Sequence, residues 1–258
     1  MLLREKCFAT PRSNSFRGFV KYCDLHFETP EENLAFDEVM LEQCDEGTTG
    51  ELLRVWAPKQ FFVVVGYGNR AGTEVNLEEC RVNDVPVLRR TTGGGTVLQG
   101  PGTLNYSLFL QFDATGPCHT ISSTNKFVME RNRLAVQGLV PEPVEVRGHT
   151  DLAINGLKFS GNAQRRRKKF LLFHGTFLLG LDIGMVEKTL AMPSREPDYR
   201  LGRSHSGFIR NVELDPGGLT RALRQSWEAS APLDDVPVER IRNLAREKYA
   251  NPDWNFKF

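Results

Sequence analysis

The chain has 258 residues, 40% of them hydrophobic and 25% charged, with a formal net charge of +1. That size and composition fit one large soluble domain, and the near-neutral charge gives no drive toward nucleic acid or an anionic membrane. No apolar run approaches the ~20 residues of a membrane span.

In chain order, Val20–His26 is predicted as a strand. Glu31–Gln43 is predicted helical, with Leu34, Met40 and Leu41 on one side and two glutamates in the first turn. Glu51–Trp56 and Phe61–Gly66 are strands parted by Ala57-Pro58, and Leu77–Asn83 is a short helix. Val87–Arg90 runs as a strand into Gly93-Gly94-Gly95, followed by strands at Thr96–Leu98 and Asn105–Leu110. A helix over Ile121–Gln137 precedes two strands, Asp151–Ile154 and Leu157–Ser160. Phe170–Leu179 is a strand, Ile183–Leu190 a helix and Ala191–Arg203 a loop broken by Pro193 and Pro197. Helices at Leu219–Ala229 and Val238–Tyr249 close the chain. With no repeat or low-complexity linker, residues 1–258 read as a single α/β (α+β) domain: a core over about 18–212 and a helical tail over about 213–258.

The first 19 residues lack an apolar stretch, so they are no secretory signal. Rich in Arg and Ser, with Glu5 as the one acid, they leave an organelle transit segment open. Five cysteines (Cys7, Cys23, Cys44, Cys80, Cys118) are odd in number, scattered and without C-x-x-C. They predict a reduced, cytoplasmic chain with no disulfide framework and no zinc site.

Asn155-Gly156 between two strands signals a type I′ hairpin. A two-residue loop pairs Ile154 with Leu157, Ala153 with Lys158, Leu152 with Phe159 and Asp151 with Ser160. Alternation then puts Leu152, Ile154, Leu157 and Phe159 on a core face and Asp151, Lys158 and Ser160 on the other. A hairpin's polar face is usually just solvated. Here the next residues, Gly161-Asn162-Ala163-Gln164, are small or amide side chains rather than the charges of a solvent edge. A second candidate is Arg89-Arg90-Thr91-Thr92-Gly93-Gly94-Gly95-Thr96. Three glycines let the backbone approach a ligand, and two arginines supply charge-assisted donors for phosphate or carboxylate. The pattern is neither G-x-G-x-x-G nor a Walker loop, which disfavours a dehydrogenase or a kinase.

R-R-x-x-G-G-G-x-V (Arg89 to Val97), G-x-x-N-Y-S (Gly102 to Ser107), D-L-x-x-x-G-x-K-x-S-G (Asp151 to Gly161) with Gln164 beyond it, and His174-Gly175-Thr176 occur in this order. Together they resemble the lipoate–protein ligase and octanoyltransferase family of the biotin/lipoate ligase superfamily. Asn33-Leu34-Ala35, Asp37-Glu38 and Val65-Gly66-Tyr67-Gly68-Asn69 fit the same pattern, which covers most of residues 30–212. The resemblance implies a fold of mixed central sheets flanked by helices. It also implies a two-step reaction: lipoate or octanoate is activated by ATP, with magnesium, to an acyl-adenylate, and a lysine of a lipoyl carrier domain then takes the acyl group. Carriers of the glycine cleavage H protein or 2-oxoacid dehydrogenase E2 type are the implied partners.

By this resemblance Lys158 is the catalytic residue. Arg89, Arg90, Gly93, Gly94, Gly95, Val97, Asn105, Asp151, Ser160, Gly161, Gln164, His174 and Gly175 bind substrate or adenylate, with Asp151 on ribose or adenine and Val65 and Leu88 along the acyl tail. No histidine spacing suggests a metal site. Octanoyltransferases of the superfamily use a cysteine acyl-enzyme, but this chain has Met192-Pro193-Ser194-Arg195 and Pro143-Val144-Glu145 at the two matching places. Transfer from an acyl carrier protein, or amidotransfer without ATP, is therefore the alternative reading. Bacterial ligases often continue into an accessory domain after a W-N-F-like segment, whereas this sequence stops at Trp254-Asn255-Phe256-Lys257-Phe258. A separate small protein could supply that part. The run Arg165-Arg166-Arg167-Lys168-Lys169 is expected to steer an acidic carrier rather than bind nucleic acid.

Overall fold

A computed structural model describes residues 20–258; the N-terminal stretch considered as a transit segment, with Cys7, lies outside the described residues. β1 (Lys21–Cys23) leads into α1 (Pro30–Glu46). Local chemistry fixes that helix: Thr29 accepts from Glu32 N, Pro30 opens it, and Gly47 ends it in the left-handed region at φ 86°. β2 (Leu52–Trp56) and β3 (Phe62–Val65) precede α2 (Ala71–Glu74), α3 (Leu77–Val82) and β4 (Val87–Arg89). β5 (Val97–Gln99) and β6 (Thr103–Gln111) lead to α4 (Ile121–Gln137), which starts on a reciprocal Thr120–Ser123 capping box. β7 (Glu145–Arg147), β8 (Asp151–Ile154), β9 (Leu157–Arg166) and β10 (Phe170–Leu178) follow. Then come α5 (Ile183–Thr189), α6 (His205–Phe208), α7 (Pro216–Ser226), β11 (Ala231–Pro232), α8 (Val238–Leu244) and α9 (Pro252–Asn255).

Eight strands form a mixed sheet in the order β11-β1-β2-β6-β10-β9-β8-β7, and three form a small sheet in the order β4-β3-β5. One face of the large sheet packs Leu108, Phe159, Phe173 and Phe177 with α4 and α7, through residues such as Val128 and Leu223. The other face packs Phe109 and Leu172 against Phe36 and Met40 of α1 and Ile241 of α8. The fold is thus the expected mixed α/β arrangement. The tail over 213–258 is less separate than expected: Ala231 and Pro232 pair with Lys21 and Tyr22, which puts part of it in the large sheet.

The hairpin turns where Asn155-Gly156 predicts, with positive φ at both residues (53° and 72°). Its register departs from expectation one step further out. A bulge between Leu152 and Ala153 leaves Phe159 without a partner, so Leu152 faces Ser160 and Asp151 faces Gly161. β9 also runs on to Arg166 and pairs with β10, so Gly161–Gln164 is interior strand, not a sheet edge.

Two ionisable side chains, the buried Arg54 and the half-buried Glu51, sit within this frame. Arg54, fully buried in β2, donates to Leu25 O (2.9 Å) and Asn33 Oδ1 (2.5 Å) and stacks over Phe36 (4.1 Å). Glu51 accepts from Gln111 N at 3.0 Å while its other oxygen is buried without a hydrogen bond. Burial pushes its carboxyl up from 4.5 to about 7. Because the folded carboxyl keeps its proton to higher pH than the unfolded one, its stabilising contribution is present below pH 4.5 and lost as pH rises through about 7. Glu51→Gln retains the acceptor and is expected to exceed wild type in stability by about 1–3 kcal/mol at pH 8 and to match it near pH 4–5 in urea unfolding.

Candidate active site

A cavity of about 860 Å³ lies between the two sheets. The large sheet contributes Asn105 and Ser107 from β6, Ser160–Ala163 from β9 and His174–Thr176 from β10. Val64 and Val97 enter from the small sheet, with the backbone of Gly94 and Gly95. Lys158 and Asp151 stand in the wall together. Lys158 Nζ lies 2.8 Å from Asp151 Oδ1, and Tyr199 Oη donates to Asp151 Oδ2 at 2.9 Å. The bulge lets Gly161, opposite Asp151, lie under the lysine, where an added Cβ would be 2.8 Å from Nζ. Ser160 is buried, and its hydroxyl meets Asn162 Nδ2 at 3.4 Å.

The glycine loop is held from behind. Arg90 donates through Nε to Thr92 Oγ1 (2.8 Å) and through Nη2 to the carbonyls of Gly93 and Gly95 (2.7 Å each). Burial without an ion-pair partner lowers its guanidinium to about 10. Thr92 Oγ1 lies 2.7 Å from His174 Nε2, and His174 Nδ1 lies 2.8 Å from Asp37 Oδ2. Ser107 donates to the remaining oxygen of Asp37 at 2.7 Å. A carboxylate only accepts, so His174 presents N–H to Asp37, and the Thr92 hydroxyl bridges His174 Nε2 and the Arg90 N–H. This chain couples α1, β10 and the loop.

The structure does not bring every expected residue to the cavity. Lys158, Arg90, Gly94, Gly95, Val97, Asn105, Asp151, Ser160, Gly161, His174 and Gly175 line it. Gly93, Arg89 and Gln164 do not. Gln164 instead donates to Ile121 O (3.1 Å) and Asn125 Oδ1 (2.6 Å) of α4. Strand alternation sends Arg89 to the face opposite Arg90. There it donates to Gly66 O (3.0 Å), Tyr67 O (3.0 Å), Asn69 O (2.7 Å), Trp254 O (3.1 Å) and Asn255 O (2.9 Å). Arg89→Ala strands these carbonyls and is expected to cost about 2–4 kcal/mol, with early proteolytic loss of the C-terminal segment as the readout. Val65 and Leu88, expected along the acyl tail, do not line the cavity: Val65 packs with Leu98 and Leu178 in a third cluster at the small sheet and Leu88 packs with the α1 face, while Leu34, Trp56, Phe62 and Val64 line one apolar part of it. Sequence reasoning missed the links Asp37–His174 and Tyr199–Asp151, which join residues 137 and 48 positions apart.

The basic run is largely spent on the fold. Arg165 donates to Thr91 O (3.2 Å), Arg166 donates to Cys118 O (2.8 Å) and stacks on Phe112 (3.8 Å), and Arg167 pairs with Glu42 (2.6 Å). Arg167, Lys168 and Lys169 are exposed, while Arg165 and Arg166 are half-buried and turned to backbone carbonyls.

Residues 29–215 match the model of the lipoyl protein ligase A/B catalytic domain. The chain belongs to that family. It is 28% identical to lipoate-protein ligase A subunit 1 of Thermoplasma acidophilum, over 90% of this chain and 95% of that protein. It is also 25% identical to the octanoyltransferase LipM of Brevibacillus brevis, over 92% and 98% of the two chains. Among solved structures, a bi-partite lipoate protein ligase studied with its E2 lipoyl domain from T. acidophilum superposes with a TM-score of 0.74 at 25% identity, over 92% of this chain and 96% of that one. A lipoate-protein ligase A bound with ATP superposes with a TM-score of 0.71 at 26% identity, over 93% and 99%. The lipoyl protein ligase A/B chain described here is accordingly an enzyme, an acyl ligase or acyltransferase.

The resemblance implies that a thioester route needs a cysteine at the site. The four described cysteines, Cys23, Cys44, Cys80 and Cys118, are free and buried, and none lines the cavity. Burial raises all four thiols, Cys44 to about 12 and Cys80 and Cys118 to about 11. Ser194, within the Met192–Arg195 stretch where the resemblance implies one such cysteine, donates its hydroxyl to the buried carboxylate of Glu74. Val144, at the other, is core.

Proposed function

We propose that this chain is a lipoate–protein ligase that activates lipoate or octanoate with ATP and transfers the acyl group to a lysine of a lipoyl carrier domain. In the first step a carboxylate oxygen of the acid attacks the α-phosphorus of ATP, and pyrophosphate leaves. In the second the carrier's amine attacks the acyl carbonyl, an amide forms and AMP departs. The observation that carries this reading is a cavity holding an ammonium, Lys158, and no thiol among its described lining residues. Covalent thioester transfer lacks a nucleophile there, whereas an adenylate needs a positive group at the acyl carbonyl and α-phosphate, where charge develops.

The apolar end under Leu34, Trp56, Phe62 and Val64 suits the fatty tail, and the amides of the Gly94–Gly95 backbone suit phosphate oxygens. Arg90, its donors turned to the loop's own carbonyls, acts by shaping that loop. Asp151 serves Lys158 and Tyr199 rather than ribose or adenine. Magnesium enters with the nucleotide's phosphates; among the described residues no three His, Cys, Asp or Glu side chains converge to hold a metal. Residues 20–258 act as one catalytic domain, with the C-terminal helices anchored by Arg89. A carrier of the H-protein or E2 type is the acceptor, and a small accessory protein is the candidate partner in trans. No helix among the described residues is long and apolar enough to cross a membrane. The cytoplasmic assignment rests on the cysteines, of which the four described are free.

The second reading, octanoyl transfer from an acyl carrier protein, is favoured by the LipM relatives. Isotope exchange between pyrophosphate and ATP separates the two: octanoate- or lipoate-dependent exchange is expected, and its absence with active octanoyl transfer would establish the transferase.

A further inference from the structure

Residues 191–210 are tied closely to the lysine hairpin. Arg203 Nη2 donates to Gly156 O in the turn (3.2 Å) and to Tyr199 O (2.8 Å). Arg210 N donates to Lys158 O at 2.9 Å. The Tyr199 ring stacks on Phe208 with centroids 5.0 Å apart, and its edge lies against Gly148, where an added Cβ would be 3.6 Å from Cε1. These contacts fix the ring, and they aim its hydroxyl at Asp151 Oδ2.

Asp151 therefore has two partners on opposite oxygens: Lys158 Nζ at 2.8 Å and Tyr199 Oη at 2.9 Å. The arrangement matters because Lys158 must exchange Asp151 for an anionic ligand when an adenylate enters. A carboxylate that receives a strong hydrogen bond on one oxygen carries less charge on the other, and it competes less well for an ammonium. We propose that Tyr199 is a positioning residue of the acyl-transfer reaction: by holding one oxygen of Asp151 it loosens Asp151's grip on Lys158 and readies that ammonium for the acyl phosphate. This inference rests on the adenylating reading of the cavity.

Tyr199→Phe tests it, since phenylalanine keeps the ring against Phe208 and removes only the hydroxyl. The probe is a non-hydrolysable octanoyl-sulfamoyl adenosine, titrated calorimetrically against wild type, Y199F, D151N and the double variant. Y199F is expected to bind it roughly ten- to a hundredfold more weakly, the scale of one hydrogen bond to a charged group. In the D151N background the same change is expected to alter binding less than twofold, because the carboxylate through which Tyr199 acts is gone. An unfolding temperature for Y199F within a few degrees of wild type marks the variant as folded. Equal binding by Y199F and wild type would overturn the proposal, as would an undiminished Y199F effect in the D151N background. Wild type that fails to bind the analogue at all would remove the adenylating reading itself, an outcome distinct from a normal wild type beside an unaffected Y199F.

Discussion

Lys158→Ala is expected to lose roughly 10²–10³ in the rate of carrier acylation, the scale of deleting one preorganised charge-stabilising group. The loss should fall on chemistry rather than on folding. Asp151 keeps Tyr199 as a partner at 2.9 Å, and Lys158 is about a quarter exposed, so its removal opens no core cavity. Single-turnover acylation with ATP, magnesium and octanoate reads the rate, and urea unfolding reads the stability. Wild-type acylation by the alanine variant would remove the residue from the mechanism.

The second large effect is expected at Gly66. An added Cβ there would stand 2.1 Å from the Gly94 carbonyl oxygen and 3.1 Å from its carbon, and both are backbone atoms that cannot rotate away. The clash must displace either the end of β3 or the glycine loop. In either case it disturbs the loop that Arg90 holds through the carbonyls of Gly93 and Gly95. Gly66→Ala should cost about 1–3 kcal/mol in stability. Displacement of ligand-binding backbone by about 1 Å should cost about a hundredfold in activity. Gly68→Ala is the control: its added Cβ meets nothing within 4 Å, and activity within about twofold of wild type is expected.

How far the sequence carries can be followed at particular residues. Asn155-Gly156 specified the turn because its two positive-φ positions are a local property of those residues. The bulge beyond it was not legible, since nothing in Leu152 or Phe159 marks a strand that gains a residue. The lysine and aspartate still met, because the bulge lies between their positions and lets Gly161 pass beneath Lys158. Arg89 and Arg90 looked equivalent as a pair of donors, yet neighbours on one strand point to opposite faces. The partners of Arg89 include Trp254 and Asn255, about 165 positions away, a distance no local pattern bridges. β7 carries the exposed residues Glu145-Val146-Arg147 without a core-facing alternation, and β11 is two residues long; both depend on neighbours supplied by the rest of the sheet. The His174–Asp37 pair had its residues in view in two motifs, but only the fold put α1 and β10 side by side.

The most direct measurement is by mass. The purified chain is incubated with ATP, magnesium and either octanoate or lipoate, and sampled for acyl-adenylate; an apo lipoyl carrier domain is then added and weighed. An acyl-adenylate together with pyrophosphate is expected first, then a carrier heavier by one acyl group with release of AMP. A carrier modified only when octanoyl-acyl carrier protein is the donor, with no adenylate formed from the free acid, would contradict the adenylating reading.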